Sequence, residues 1–264
     1  MSIGEMPARD AQPARVAQPA RVALVTGASR GLGAAIARGL AADGWAVAVN
    51  YRSDKAGATR VVESIAADGG TARAFRADVT QDTEVRRLTA VVAEQLGLIT
   101  CVVANAVGAH DAHKLASLTW QECLTQLEFG LKSPLLLIQE TVEGMKAAGG
   151  GRVILMGSDA LQRGVPGLTA YGAAKGAQYG AALSWANELG PHGITVNVVA
   201  PGWIPVERHQ DVPATALDAY AAQGPLGRLG TPEEIAATVT FLASTAGGFV
   251  TGQRLTVNGG HTTS

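Results

Sequence analysis

Cysteine is scarce, net charge is close to zero and long apolar runs are missing, and each shortage narrows what this chain can do. Only Cys101 and Cys123 occur in 264 residues, and neither belongs to a spacing that ligates a metal or builds a disulfide framework. They read as buried or half-buried thiols. With 21 basic and 22 acidic side chains the formal charge is −1, which argues against a broad nucleic-acid or anionic-membrane surface, because such partners are met by clustered Lys and Arg. No stretch approaches the roughly 18 apolar residues of a membrane span. The N-terminus lacks the basic-then-apolar order of a secretory signal, so a cytoplasmic location is expected. No Pro-rich or Gly/Ser-rich linker divides the core. At 47% hydrophobic content the chain is long enough for one large globular α/β domain.

Residues 1–20 carry a near-repeat, AQPARV at 11–16 and again at 17–22, with no sustained apolar period. They read as a flexible tail, leaving 21–264 as a single domain. From Arg21 onward short apolar runs alternate with longer Ala-rich segments, the order of a parallel sheet with helices on both faces. Strands are expected at 21–27, 46–51, 71–79, 98–106, 151–158, 194–201 and 254–260. Helices are expected at 32–43, 54–68, 81–96, 119–147, 170–190 and 232–244, with Thr80, Thr119 and Thr231 as candidate caps. Seven mostly apolar strands imply a doubly covered sheet. The long excursion at 202–230 reads as a lid or binding loop.

The first strand runs into TGASRGLGAAIA, with Gly27, Gly31 and Gly33 at the turn into a helix. A turn without Cβ atoms lets backbone N–H groups and the positive helix end approach a diphosphate. The spacing is G-x-x-x-G-x-G, not the ordinary dinucleotide fingerprint. The second chemical cluster is SDALQRGVPGLTAYGAAK, residues 158–175. Tyr171 and Lys175 lie four apart in a helical segment and share a face, where an ammonium beside a phenol favours the phenolate. Ser158, 13 positions before Tyr171 at a strand end, is placed to donate to a substrate oxygen.

These two segments together, in one chain with Asp78-Val79, Asn105-Ala106-Val107-Gly108 and Pro201-Gly202 in that order, resemble the short-chain dehydrogenase/reductase family, its 3-oxoacyl-reductase-like ketoreductases in particular, over about Arg21–Gly260. The resemblance implies a Rossmann-like doubly wound fold with a parallel seven-stranded sheet, a nicotinamide cofactor, and Ser158, Tyr171 and Lys175 as catalytic residues. It implies cofactor contacts from Gly27, Ser29, Arg30, Gly31, Leu32 and Gly33 of the glycine loop, from Asp78 and Val79 at the adenine, and from Tyr171, Lys175, Pro201, Gly202 and the Ile204 backbone. Asn105 reads as a sheet-steadying residue or a cofactor contact; the sequence leaves both open. Charge argues for NADP(H): Arg30, and Arg52 after the second strand, suit a 2′-phosphate, with Asp54 nearby as the counter-indication.

Two positions depart from the family pattern. Gly130, in GLKSP, stands where many members carry an Asn that joins a proton relay, and Val206 stands where a Thr is common. A metal site needs three or more convergent ligands, and only the short loop GAHDAHK, with His110, Asp111 and His113, offers them; it reads better as a loop near the substrate mouth, and no metal is expected. Arg208 and His209 in the lid either contact a polar or anionic substrate group or stay exposed. The reading is an NADP(H)-dependent oxidoreductase for a small-molecule ketone or alcohol, possibly carrier-bound, and a homotetramer or homodimer through 119–147 and 170–190. A weakly active or inactive nucleotide-binding scaffold is the alternative.

Overall fold

A computed structural model describes residues 21–109 and 112–262; the expected tail at 1–20, with His110 and Asp111, lies outside the described residues. The first half of the chain is β1 (Val22–Val25), α1 (Gly31–Ala42), β2 (Ala46–Tyr51), α2 (Lys55–Ala67), β3 (Thr71–Arg76), α3 (Asp82–Leu96) and β4 (Ile99–Ala104). The second comprises α4 (Trp120–Leu127), a π-helical turn (Glu128–Lys132), α5 (Ser133–Ala147), β5 (Gly151–Met156), α6 (Ala160–Arg163), α7 (Thr169–Leu189), β6 (Ile194–Pro201), α8 (Ala214–Ala221), α9 (Pro232–Ala243) and β7 (Arg254–Val257). Every strand pair is parallel, in the order β3-β2-β1-β4-β5-β6-β7. This is the expected doubly wound, Rossmann-like seven-stranded sheet.

Burial follows from the strand sequences. β1, β2 and β6 are buried at every position, as a sheet covered on both faces requires. Ile36, Leu40, Ile235 and Leu242 of α1 and α9 close one face, and Val85, Leu88, Leu137 and Met145 of α3 and α5 close the other. The outer strands depart from the apolar expectation. In β3, an edge strand, only Phe75 is fully buried, and β7 is half-buried throughout. Several strands also end early. β1 stops at Val25, before Gly27 takes a φ of +60° that no extended strand accommodates.

Two of the three expected caps are present. Thr119 and Thr231 each form a reciprocal capping box, with Glu122 and Glu234. Thr80 does not cap α3; its hydroxyl donates to Asp78 Oδ1 at 2.7 Å, and Glu84 turns back to accept from the Asp78 N–H at 2.9 Å. The helix expected over 119–147 is interrupted by the π-turn at 128–132. There, a Cβ on Gly130 would lie 2.9 Å from both Ala174 Cβ and Ala174 O of α7. The glycine is what lets α7 pack directly on the turn. Segment 202–230 carries a short 3-10 turn, Glu207–His209, and α8.

Candidate active site

The sheet order reverses between β1 and β4, and the glycine turn opens there, where such sheets bind ligands. The turn is fixed from two sides. Asn50, buried at the end of β2, accepts from the Gly27 N–H at 3.3 Å and donates to Phe75 O and Ala77 O at 3.4 and 3.1 Å. Asn105 Nδ2 donates to Thr26 O and Gly27 O at 2.9 and 3.2 Å, and its backbone N–H to Thr26 Oγ1 at 2.9 Å. Asn105 therefore steadies the turn, and its residue also lines the cavity. The glycines are required by geometry: Gly27 and Gly31 sit at φ of +60° and +57°, and a Cβ on Gly33 would lie 2.6 Å from Asn105 Nδ2 and against the Gly27 carbonyl.

The start of α1 has no side-chain cap and no acidic residue in its first turn. Its free N–H groups and positive end form an anion cradle. A cavity of about 670 Å³ runs from this cradle, large enough for a dinucleotide. Ser29, Arg30, Leu32, Arg52, Asp78 and Val79 line one end; Tyr171, Lys175 and Pro201 line the other. Gly202 and Ile204 are not brought to this wall; they border a smaller cavity of about 100 Å³ beneath Trp203. His113 is placed elsewhere, its Nε2 3.0 Å from Glu122 Oε1. Among the described residues no group of three His, Cys, Asp or Glu side chains could hold a metal ion.

Charges at the nucleotide end distinguish the readings of Arg52 and Asp54. Asp54 caps α2, accepting from the Gly57 N–H at 2.8 Å. β2 ends in Asn50 and Tyr51, both buried and uncharged, so no carboxylate sits at its tip. The Arg52 guanidinium, 65% exposed, lies 3.8 Å from Asp78, a surface pair weak enough to exchange for another anion.

At the other end, Tyr171 and Lys175 lie one turn apart on α7, and Ser158 follows β5. The Ser158 and Tyr171 hydroxyls are hydrogen-bonded, and Ser158 Oγ accepts from the Ala160 N–H at 3.2 Å. Arg254 of β7 donates to the Ser158 carbonyl at 3.0 Å, a support not evident from sequence. Lys175, buried, donates to Met156 O at 2.6 Å, with its ammonium 5.5 Å from the Tyr171 ring centre. Burial, helped by the Arg208 charge, pushes Lys175 down to about 8. Burial also dominates at Tyr171, holding its pKa above the ordinary phenol value against the Ser158 hydrogen bond and Arg208. Together these groups of the protein hold the Tyr171 phenol protonated at neutral pH.

Comparison with known proteins gives this arrangement its relatives. The family profile described as enoyl-(acyl carrier protein) reductase matches residues 27–262. The chain belongs to the short-chain dehydrogenase/reductase family. It is 39% identical over 237 residues to a 3-oxoacyl-[acyl-carrier-protein] reductase FabG of Staphylococcus epidermidis, covering 90% of this chain and 97% of that one. It is 38% identical over 244 residues to the short-chain reductase protein NovJ of Streptomyces niveus, covering 90% and 92%. Among solved structures, a blue fluorescent protein from a metagenomic library in complex with NADPH superposes with a TM-score of 0.83 at 37% identity, covering 92% and 98%. A variant Serratia marcescens short-chain dehydrogenase/reductase gives 0.86 at 32% identity, covering 93% and 100%. The protein is therefore an oxidoreductase of this family, which uses a nicotinamide cofactor. No described helix is long and apolar enough to cross a membrane.

Proposed function

We propose that this short-chain dehydrogenase/reductase reduces a ketone to a secondary alcohol with NADPH, or runs the reverse oxidation. The observation that carries the reading is Tyr171 and Lys175 opening onto the same cavity as the glycine turn, with Ser158 hydrogen-bonded to Tyr171 behind them. When bound, NADPH supplies the hydride to the carbonyl carbon. Tyr171 donates its proton to the carbonyl oxygen; burial, which raises its pKa, keeps the phenol protonated until the acceptor is in place. Ser158 donates a hydrogen bond to the same oxygen as charge develops there. Lys175, with a pKa of about 8, exchanges protons near neutral pH and returns one toward Tyr171.

The diphosphate is held by the N–H groups around Gly31 and Leu32. Arg30 and Arg52 bind the 2′-phosphate, Arg52 exchanging Asp78 for it. The engagement of Asp54 as a helix cap supports NADP(H) over NAD(H). The relative solved with NADPH supports the same choice.

Residues from 21 onward act as one catalytic domain, with 202–230 as its lid. Exposed Trp120, Leu124 and Leu183 on α4 and α7, and Phe241 and Phe249 near α9, support a homo-oligomer; the site of action is cytoplasmic. The FabG relative supports a 3-oxoacyl or related biosynthetic ketone, carrier-bound or free. The test is Tyr171→Phe with NADPH and a panel of ketones: turnover falls at least about a hundredfold while NADPH affinity, read by fluorescence titration, stays. A wild-type protein that binds NADPH and NADH equally, or a variant that keeps its turnover, overturns the reading.

A further inference from the structure

The lid is tied down by a buried anchor. Tyr220, the buried residue of α8, accepts from the Trp203 N–H at 2.9 Å and donates to Asp159 Oδ2 at 3.4 Å. Asn258 Nδ2 donates to the same carboxylate oxygen at 3.2 Å, and Arg163 Nη1 lies 3.9 Å from it. Asp159 is itself only 3% exposed and directly follows Ser158. From this anchor the contacts run outward. Trp203 meets Tyr220 and His209 edge-on, with ring centres 5.4 and 6.1 Å apart, and Arg208 Nε donates to His209 Nε2 at 3.1 Å.

The result is an arginine held at the wall of the cavity that Tyr171 and Lys175 line. No described carboxylate forms an ion pair with Arg208. Its neighbour Glu207 is directed to Gly31, where a Cβ would meet Glu207 Oε2 at 3.5 Å. Arg208 depresses the pKa of both Tyr171 and Lys175, so its charge reaches the reacting end. Arg208 is itself exposed, and an anion bound beside it would relieve its effect on the buried lysine.

We propose that Arg208 binds an anionic oxygen group of the substrate, which makes the preferred substrate an oxo acid: a ketone with a carboxylate close to the reacting carbonyl. Arginine is the side chain whose planar fork matches a carboxylate. The proposal rests on the ketone-reductase reading above and narrows it. The cofactor diphosphate is the other source of anionic oxygen. Val206 and Glu207 are the lid residues that face Gly31 at its cradle, whereas Arg208 acts on Tyr171 and Lys175.

The experiment compares wild type, Arg208→Gln and Arg208→Lys on a short 3-oxo acid and its methyl ester, which share one carbon skeleton. The expected result is a rise of about 10- to 100-fold in the ratio of acid KM to ester KM for Arg208→Gln, as loss of a charge-assisted contact implies, with partial rescue by Arg208→Lys. NADPH affinity moves less than twofold. An equal loss on acid and ester overturns the proposal, as does a wild-type preference for the ester, which would favour a carrier-bound thioester. A tenfold weakening of NADPH assigns Arg208 to the cofactor diphosphate instead. Calorimetric binding of the oxo acid to NADP⁺-saturated protein, a pairing of oxidised cofactor and ketone that cannot react, needs no turnover, so it reports on Arg208 even where the reductase reading fails. Wild-type binding that is lost in Arg208→Gln supports the proposal; no binding to wild type overturns it.

Discussion

Replacing Lys175 with methionine should abolish turnover yet raise the stability of the fold at neutral pH. Lys175 is buried, and its pKa falls from the ordinary 10.5 to about 8; that difference corresponds to about 3 kcal/mol of penalty for keeping the ammonium charged at pH 7. Methionine removes the penalty but also removes the donor to Met156 O, at 2.6 Å in the wild type, and an unsatisfied buried carbonyl costs about 1–3 kcal/mol. The net expectation at pH 7 is a gain of about 1 kcal/mol, a shift of a few degrees in melting temperature.

The sign then reverses with pH. The folded-state pKa lies below the unfolded one, so from about pH 8 to 10.5 the unfolded chain binds more protons and wild-type stability rises through that window. Between pH 7 and pH 9.5 the wild type gains about 2 kcal/mol on the variant, which leaves Lys175→Met the less stable protein at the higher pH. Urea unfolding followed by circular dichroism at both pH values measures the crossover. A difference between the two proteins that is the same at pH 7 and 9.5 would refute the burial argument for Lys175.

Two further substitutions probe the turn and a cap. Gly33→Ala drives a Cβ to within 2.6 Å of Asn105 Nδ2, and overpacking of this kind costs about 1–3 kcal/mol; thermal unfolding should show the loss, and fluorescence titration an NADPH affinity at least about tenfold weaker. Thr231→Ala removes the hydroxyl that accepts from the Glu234 N–H at 3.3 Å. It should lower stability by about 1 kcal/mol with NADPH affinity unchanged, and a shift in that affinity would show that the α9 cap communicates with the site.

The fold was legible because its cues are local. Continuous apolar runs in VALV and AVAVNY mark fully covered strands, and glycines stand where β1 turns into α1. The edge strands too were expected, at 71–79 and 254–260, but not their shorter extent or their exposure. β3 reads TARAFR and pairs on one side only, with β2, so its outer side is left without the cover that the apolar expectation assumed. At the site, fixed spacings brought Tyr171, Lys175 and the glycine turn to one cavity. What spacing could not give was the support from distant segments: Arg254 on the Ser158 carbonyl, Asn50 beneath Gly27, Tyr220 on Asp159. These contacts join residues 23 to 96 positions apart, beyond any helical or strand period. Nor could sequence order the competing influences on Tyr171, where burial outweighs the neighbouring charge.

The contact between the π-turn and α7 also limits which chains can exchange parts with this one. Because Ala174 O and Cβ occupy the space that a side chain at 130 would need, an asparagine grafted there from a relative meets main chain, which no change of rotamer relieves. Positions 130 and 174 are therefore coupled: a recombinant made by swapping segments between this protein and its relatives stays well packed only where the turn and the first half of α7 come from the same parent.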